Sequence, residues 1–286
     1  MKILIGYKEL RMNLENSFKK AGITELSDID WICCEATGKR RSELPFIEKF
    51  SSEEMLQIMA AVNKRLQHVP LAYIFGKTNF YGYDFIVDKN VLIPRLDTEF
   101  LVEKVIEEIK LRESKVSVLD IGTGSGAIAI TINKETEALV TAVDVSLDAI
   151  DIAKKNAKLN KANIDLIQSD LFENISNLKF DIIVSNPPYI ESREIEGLDK
   201  EVKDFEPILA LDGGDDGLIF YRKIIEDAEK HLNSNGKIFF EIGFNQADAV
   251  SKIMRQKFKN VCVYKDYMGN DRVVMGEMYD WKIEKD

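Results

Sequence analysis

The chain has 286 residues, 45% of them hydrophobic and 31% charged, a balance typical of a globular protein with room for one large domain and a smaller one. Its net charge of −10 is uneven: residues 1–79 contain 12 basic and 10 acidic side chains, and the remainder contains 27 and 39, which argues against stable DNA binding. No apolar run approaches the roughly 18 residues of a membrane-spanning helix and no signal peptide is evident, so we expect a cytoplasmic protein without membrane association.

The first 70 residues predict a small domain of short helices. Ser27 provides a capping group for a helix that Gly38 ends. Ser51 and Glu54 form the capping-box pattern before a second amphipathic segment. Pro70 is expected to end this region, because the residue before a proline disfavours the helical conformation.

A β-hairpin is predicted over residues 71–90 as the connection to the rest of the chain. The stretch Ala72–Val87 is rich in aromatic and β-branched residues, which favour strands, and Gly76 and Gly82 interrupt it. We therefore place the second domain at residues 91–286.

The second domain is predicted to begin with a helix over Thr98–Leu111. Asp97 precedes this helix as a capping residue, and Leu96 and Leu101 have the spacing of a hydrophobic staple. We expect Leu96 to pack against Leu101 and to set the direction in which the chain enters the helix.

From Val116 on, short apolar strands alternate with amphipathic helices. The predicted strands are Val116–Asp120, Leu139–Asp144, Ile164–Gln168, Phe180–Ser185, Lys237–Ile242, Val261–Lys265 and Arg272–Met278. This alternation predicts a parallel sheet covered by helices on both faces. The connection before the last strand is too short for a parallel crossover. The predicted fold is therefore α/β, with a seven-stranded Rossmann-like sheet whose last strand is antiparallel.

A glycine-rich loop follows the first strand of this sheet, at the edge where open α/β sheets bind ligands. Its sequence is Asp120-Ile121-Gly122-Thr123-Gly124-Ser125-Gly126. The G-x-G-x-G spacing differs from the G-x-G-x-x-G of dinucleotide sites, and the preceding acid suits a cofactor with a cationic amino-acid end. The residues expected to bind that cofactor are Asp120, Gly122, Thr123, Gly124, Ser125 and Gly126.

Two further carboxylates follow the next two strands of the sheet. Asp144 is placed to accept hydrogen bonds from ribose hydroxyls, with Val145 beside it in the cofactor site. Asp170 is placed to accept from an adenine amine, and Leu171 or Phe172 is expected to cover the adenine ring. Three acids at the ends of three successive strands predict a nucleoside cofactor.

The fourth strand ends in Asn186-Pro187-Pro188-Tyr189, a rigid loop facing the predicted cofactor site. An amide nitrogen is a poor nucleophile because its lone pair is delocalised. The Asn186 side-chain oxygen and the Pro187 carbonyl are predicted to accept its two N–H groups and orient it toward an electrophilic methyl group, with Tyr189 packed against the planar amide. We expect Asn186, Pro187 and Tyr189 to be catalytic, all four residues to bind the substrate, and Asn186 also to contact the cofactor. No general base is assigned.

Three remaining features are interpreted as structural. Asp212–Gly217 is similar to a calcium loop but lacks the glutamate that such a loop requires, so we expect a turn at the mouth of the site. Glu241, at the end of the fifth strand, is expected to have a structural role. The three cysteines and two histidines do not have metal-site spacing, and we predict no bound metal.

Asn-Pro-Pro-Tyr after such a fold resembles S-adenosylmethionine-dependent methyltransferases that act on adenine amines or glutamine amides. Further segments resemble the HemK/PrmC family of peptide chain release factor glutamine N5-methyltransferases: Pro70–Ile74, Phe80–Gly82, Val91–Arg95, Asp97–Glu99, Asp120–Gly126, Glu206-Pro207, Ala210-Leu211, Asp216–Leu218 and Asp271–Val274. They span the chain from about residue 70 to its end. The sequence departs from the family at Leu96, where proline is usual, and at Leu171, where relatives often have tryptophan.

The resemblance implies methylation of the glutamine in the Gly-Gly-Gln loop of class I peptide chain release factors, with S-adenosyl-L-methionine as cofactor and S-adenosyl-L-homocysteine as product. It also implies that residues 1–70 help to bind the partner, and we expect a monomer. Three other functions stay open: a nucleic-acid amino-methyltransferase acting on adenine or guanine, a nicotinamide oxidoreductase and a non-catalytic interaction module. The acidic second part argues against the first, the glycine spacing against the second, and the full motif set against the third.

Overall fold

The structure, a computed structural model, describes residues 5–279. Residues 1–4 and 280–286, the outer ends of the two predicted domains, lie outside the described residues. The chain divides into two compact units. The first comprises the described residues up to Gly76 together with Asp199–Phe205, and the second comprises Lys77–Leu198 and the residues from Glu206 on.

Helices and strands are labelled in chain order. The helices are α1 (Tyr7–Lys20), α2 (Ser27–Thr37), α3 (Ser52–Arg65), α4 (Leu71–Phe75), α5 (Leu96–Lys110), α6 (Ala127–Glu135), α7 (Leu147–Asn160), α8 (Lys200–Lys203), α9 (Ile219–His231) and α10 (Ala247–Met254). The strands are β1 (Lys77–Phe80), β2 (Tyr83–Ile86), β3 (Ser117–Ile121), β4 (Leu139–Asp144), β5 (Ile164–Gln168), β6 (Phe180–Ser185), β7 (Leu232–Glu241), β8 (Phe258–Lys265) and β9 (Asp271–Met278). Short 3₁₀ helices occupy Arg41–Phe46, Glu173–Ile175, Ser192–Gly197 and Ile208–Ala210. No helix among the described residues is both long enough and apolar enough to cross a membrane.

The first unit is helical and has its own apolar core, formed by α1, α2, α3 and α4. The capping box predicted at Ser51 and Glu54 is confirmed, with the Ser51 hydroxyl accepting from the Glu54 backbone N–H at 3.1 Å. At the end of α3 the Arg65 side chain is only 2% exposed, and it pairs with Asp28 at 2.6 Å and with Glu201. Because Glu201 lies on α8, this buried arginine connects α8 to the helices of the same unit.

The stretch predicted as a β-hairpin, residues 71–90, is partly helical. The Pro70 carbonyl accepts from the backbone N–H groups of Tyr73 and Ile74, both at 3.0 Å, so α4 precedes the strands. Gly76 then ends α4 in the left-handed conformation, with φ of 69°. The antiparallel pair β1–β2 follows, and Lys77 is opposite Ile86.

The large sheet has the strand order β5-β4-β3-β6-β7-β9-β8, in which β9 is antiparallel to both of its neighbours. This confirms the predicted seven-stranded Rossmann-like sheet with an antiparallel last strand. The last strand lies inside the sheet, between β7 and β8. The chain moves from β3 to β4 and β5 on one side and returns on the other side with β6. Ligands bind at such a switch point in open α/β sheets, so β3 and β6 frame the expected site.

Helices cover both faces of the sheet. Side chains of α5, α6 and α7 pack against one face, and those of α9 and α10 pack against the other. Successive residues of a strand point to opposite faces. Accordingly, Val118 of β3 contributes to the first core, whereas Leu119 and Ile121 contribute to the second.

The start of α5 differs from the prediction. The helix begins at Leu96, and Arg95 occupies the capping position in an extended conformation without a side-chain cap. Leu96 is 79% exposed while Leu101 is fully buried, so the predicted staple between them is wrong. Asp97 lies inside the first turn, where its carboxylate pairs with Arg272 at 2.9 Å.

Candidate functional site

A pocket in the second unit lies over the carboxyl ends of β3, β4 and β6. The predicted site residues that line it are Gly122, Gly124, Asp144, Val145, Asp170, Leu171, Asn186, Pro187 and Pro188. The predicted site residues that are not part of its lining are Asp120, Thr123, Ser125, Gly126, Phe172 and Tyr189. The fold thus brings the glycine loop, two of the strand-end acids and the Asn-Pro-Pro segment to one cavity.

The glycine loop folds over the end of β4. The backbone N–H groups of Gly122 and Thr123 both donate to the Val143 carbonyl, at 2.9 and 3.0 Å. The Gly124 N–H donates to the Asp144 carboxylate at 2.8 Å. Gly124 has φ of 54°, a left-handed conformation that glycine adopts without steric cost. This geometry leaves the backbone of the loop close to the pocket.

The end of the loop is held from behind by Asn156, which is fully buried on α7. Its side-chain nitrogen donates to the Ser125 carbonyl at 2.8 Å and to the Ile86 carbonyl at 2.9 Å. Its side-chain oxygen accepts from the Ile86 N–H at 2.6 Å. Ser125 and Gly126 therefore join the loop to α6 and α7 and do not face the pocket.

Asp120 is fully buried at the end of β3, next to the pocket-lining residue Ile121. Burial raises the pKa of its carboxyl to about 7, and the nearby Asp144 carboxylate also raises it. The Thr123 hydroxyl and the Ala129 backbone N–H act in the opposite direction and lower this pKa. The Thr123 hydroxyl donates to Oδ2 at 2.6 Å. Oδ1 is buried and has no hydrogen-bond partner among the described residues. An acceptor oxygen in this state favours a cationic or donating ligand group.

Asp144 ends β4 and presents its carboxylate to the pocket. Oδ2 accepts from the Gly124 N–H, and Oδ1 accepts from the Ser146 N–H at 2.9 Å. Burial raises the pKa of this carboxyl, while the two backbone N–H groups lower it. Each oxygen keeps a further lone pair, so the carboxylate has acceptor capacity left for the hydroxyls of a ligand.

The segment after β5 separates Leu171 from Phe172. Leu171 adopts a left-handed conformation with φ of 48°, which is uncommon for a branched residue. Its side chain lines the pocket together with Asp170. Phe172 instead stacks on His231 inside the core, with ring centroids 4.4 Å apart. Of the two residues considered for covering an adenine ring, Leu171 is the one at the pocket.

The Asn-Pro-Pro-Tyr loop begins where β6 runs alongside β3. Ile121 is opposite Ser185 in the parallel pair, and the Ser185 hydroxyl donates to the Ile121 carbonyl at 2.7 Å. The next residue, Asn186, directs its side-chain nitrogen to the Thr98 hydroxyl at 3.2 Å. With its nitrogen engaged on that side, the Asn186 side-chain oxygen is the end of the amide available to a ligand.

The Asp212–Gly217 segment supports this loop from beneath. Backbone hydrogen bonds join Ile190 N–H to the Leu211 carbonyl at 3.0 Å and Gly213 N–H to the Ile190 carbonyl at 2.8 Å. A Cβ atom on Gly213 would lie 2.8 Å from the Tyr189 Cα and 2.9 Å from the Pro188 carbonyl oxygen. Only glycine permits this approach. The segment is therefore a turn that holds the Asn-Pro-Pro-Tyr loop in place.

Tyr189 does not line the pocket, and its backbone is hydrogen-bonded to Gln246. The Gln246 side-chain nitrogen donates to the Tyr189 carbonyl at 2.9 Å and its oxygen accepts from the Gly243 N–H at 3.0 Å. Burial raises the pKa of the Tyr189 phenol to about 12, and the nearby Glu241 carboxyl adds to this shift. The phenol is thus neutral at physiological pH.

Behind Asn186 lies a buried polar cluster formed by Thr98, Asn186 and Glu241. Glu241 is 1% exposed. Burial raises the pKa of its carboxyl to about 7, although hydrogen bonds from the Thr98 and Asn186 side chains and the charge of Arg272 lower it. The Tyr221 hydroxyl donates to the Glu241 backbone carbonyl at 2.8 Å. This hydrogen bond does not involve the Glu241 side chain.

The sequence interpretation missed several of these residues. The sequence prediction gives Thr98 only a place within a helix, and it gives Gln246 and Asn156 no role in the site. Arg95 pairs with Glu206, and the adjacent Pro207 lines the pocket. One sequence feature could have indicated Thr98 and Gln246. Thr98 lies in the first turn of α5 and Gln246 lies just before α10, and polar side chains at helix starts often face a binding site.

Comparisons with known proteins agree with this arrangement. A family model described as the methyltransferase small domain matches residues 95–201, and one described as the PrmC N-terminal domain matches residues 9–76. A release factor glutamine methyltransferase of Lactococcus lactis subsp. lactis is 44% identical over 231 residues, 79% of this chain and 84% of that protein. One of Haemophilus influenzae is 36% identical over 290 residues, 95% of this chain and 99% of that protein. The crystal structure of a methyltransferase from Pyrococcus furiosus has a similar fold, with a TM-score of 0.52 and 20% identity over 77% of this chain and 96% of that one.

Proposed function

This chain belongs to the family of release factor glutamine methyltransferases, and we propose from that membership that it methylates the side-chain amide nitrogen of a glutamine in a class I peptide chain release factor. The target is the glutamine of the Gly-Gly-Gln loop, and the methyl donor is S-adenosylmethionine. The observation that carries the proposal is the meeting of strand-end acids and Asn186-Pro187-Pro188 in one pocket.

The residues that line the pocket, together with the buried Asp120 next to the lining residue Ile121, fit S-adenosylmethionine. The buried Oδ1 atom of Asp120, which has no partner among the described residues, would be satisfied by the cationic amino-acid end of the cofactor. Asp144 would accept from the ribose hydroxyls, with Val145 beside it, and Asp170 from the adenine amine, with Leu171 against the ring. When bound, the cofactor supplies an electrophilic methyl group.

The chain's own residues then orient the acceptor amide. The Asn186 side-chain oxygen and the Pro187 carbonyl accept its two N–H groups, and Pro188, which also lines the pocket, restricts the plane in which the amide lies. Tyr189, predicted to pack against the amide, is not part of the pocket lining and would reach the amide from beside Pro188. Alignment of this kind lowers the barrier by up to roughly 7–11 kcal/mol in favourable cases. The nitrogen attacks as a neutral amide and loses its extra proton to solvent after methyl transfer. The reaction therefore does not require a general base to activate the nitrogen.

The first experiment uses methyl-labelled S-adenosylmethionine and a purified class I release factor. Label is expected in the wild-type factor and absent from a factor whose loop glutamine is changed to alanine. Equal label in both factors would exclude the glutamine, and label only in added RNA or DNA would favour an amino-methyltransferase of nucleic acid.

The second experiment tests the separate roles of the pocket residues. Asn186→Ala is expected to abolish transfer, by at least about 100-fold in kcat, while calorimetry shows a dissociation constant for the cofactor within about threefold of wild type. If cofactor binding were lost together with transfer, Asn186 would serve mainly in cofactor binding.

A further inference from the structure

Glu241 has a side chain whose burial a purely structural role does not explain. It lies at the end of β7, where Phe240 is opposite Ser185 of β6, so the side chains of Glu241 and Asn186 follow adjacent strand ends. It is 1% exposed, and its Oε2 atom has no hydrogen-bond partner among the described residues. A buried carboxyl of this kind destabilises a fold relative to an apolar residue of the same size.

The contacts of Glu241 run toward the Asn-Pro-Pro-Tyr loop. The Asn186 side-chain nitrogen donates to the Thr98 hydroxyl oxygen at 3.2 Å, and both side chains lie close enough to the Glu241 carboxyl to lower its pKa by hydrogen bonding. A hydroxyl has one proton to donate. If Thr98 donates to Glu241, its oxygen must accept from Asn186. The hydrogen bonds therefore have one consistent direction, from Asn186 through Thr98 to Glu241.

This direction determines which end of the Asn186 amide faces the pocket. The oxygen and nitrogen of an asparagine side chain have nearly the same shape, and only the hydrogen-bond network distinguishes them. The cluster offers acceptors, so it selects the nitrogen. With the amide reversed, Asn186 would present N–H groups to the N–H groups of a substrate amide, and the predicted acceptor would be lost.

We infer that Glu241 and Thr98 are positioning residues, which hold the Asn186 amide with its nitrogen inward and its oxygen toward the substrate. The inference rests on the proposed methylation of an amide nitrogen. Glu241 acts only through an acceptor oxygen, and one such oxygen is present in glutamate and in glutamine. Its negative charge and proton-accepting capacity are not required.

The test compares substitutions that remove the acceptor with others that preserve it. Glu241→Leu is expected to lower kcat about 100-fold, the effect typical of an ångström-scale misplacement in an active site, and to raise the KM for the release factor less than it lowers kcat. Glu241→Gln is expected to stay within about fivefold of wild type in kcat. Thr98→Val is expected to lower kcat about 10-fold, and Thr98→Ser to restore it. Cofactor dissociation constants should stay within about threefold of wild type for all four, because neither residue lines the pocket.

Thr131→Val is the matched control for Thr98→Val. Thr131 is a fully buried helical threonine on α6 whose hydroxyl has no partner among the described residues. Thr131→Val makes the same chemical change as Thr98→Val, but at a site that does not contact Asn186. The kcat of Thr131→Val is therefore expected to stay within about twofold of wild type.

The outcomes separate this inference from the proposed function. If wild type does not label the release factor, the proposed function is wrong. If wild type is active and Glu241→Leu is equally active, the inference is overturned. If Glu241→Gln loses as much activity as Glu241→Leu, Glu241 acts by charge or as a base, and the inference is also overturned.

An activity-independent measurement follows the amide itself. The side-chain NH₂ resonance of Asn186, assigned by its loss in Asn186→Ala, is expected to exchange slowly with solvent in wild type. In Glu241→Leu it should exchange at least about 10-fold faster, because the inward hydrogen bonds are lost. Equal exchange in both proteins would contradict the orientation.

Discussion

Replacing Asp120 by asparagine is expected to stabilise the ligand-free protein in a pH-dependent way. Asp120 is fully buried, and the pKa of its carboxyl is raised to about 7 by that burial. An unfolded aspartate has a pKa of about 3.9. Between these two values the native state holds a proton that the unfolded chain has released.

The sign of the effect follows from this difference in bound protons. As pH rises through the window, the free energy of unfolding of wild type falls by about 1.4 kcal/mol per pH unit from this group. Asparagine is neutral in both states and contributes no such slope. Between pH 5.5 and the native pKa, Asp120→Asn therefore gains about 2 kcal/mol over wild type. The gain is then constant up to pH 8.5.

The assay is urea unfolding of both proteins at pH 5.5 and 8.5 without cofactor. Asp165→Asn, an exposed carboxyl on β5, is the matched control, and its effect should stay below about 0.5 kcal/mol at both pH values. A difference between Asp120→Asn and wild type that does not grow with pH would refute the reasoning. The same substitution should weaken S-adenosylmethionine binding at least about 10-fold, because the charge facing the cationic end is removed.

Two further substitutions test how the loop and the helical unit are held. Gly213→Ala places a methyl group 2.8 Å from the Tyr189 Cα; it is expected to lower kcat about 10- to 100-fold with unchanged cofactor binding, and wild-type kcat would show that the loop tolerates the shift. Arg65→Met leaves Asp28 and Glu201 without their shared cation; it is expected to lower the free energy of unfolding by about 3 kcal/mol in urea titrations, and a loss below about 1 kcal/mol would mean that water replaces the arginine.

Much of the sheet was predictable because its strands are buried apolar runs between turn residues. The predicted bounds of β4, β5 and β6 coincide with the observed ones. The order of the last two strands was less accessible. A short connection requires that β8 and β9 be antiparallel neighbours, but it does not say which of them pairs with β7, and in the structure β9 does so.

Secondary-structure predictions from local sequence patterns were wrong where a residue makes a contact with a distant part of the chain or an unexpected backbone hydrogen bond. Asp97 has the composition of a helix cap, yet its carboxylate pairs with Arg272, which is 175 positions away in sequence. The aromatic content of α4 favours a strand, yet the Pro70 carbonyl accepts the N–H groups that start a helical turn. The cluster of Thr98, Asn186 and Glu241 was also inaccessible from sequence, because Thr98 lies in α5, Asn186 follows β6 and Glu241 ends β7.

A single strand pairing brings the two halves of the site together. The cofactor half begins after Ile121, at the end of β3, and the Asn186 half begins after Ser185, at the end of β6, and these two residues are partners in the parallel register. The Ser185 hydroxyl bonds to the Ile121 carbonyl at 2.7 Å across this pair. A one-residue slip would turn every β6 side chain to the other face of the sheet and remove Asn186 from the pocket. The two cores contain different β6 side chains, Ile182 and Val184 in one and Phe180 and Ile183 in the other. A slip would therefore force each core to accept side chains of the wrong size and shape. The packing of the two cores thereby sets the spacing between the cofactor and the amide that Asn186 holds.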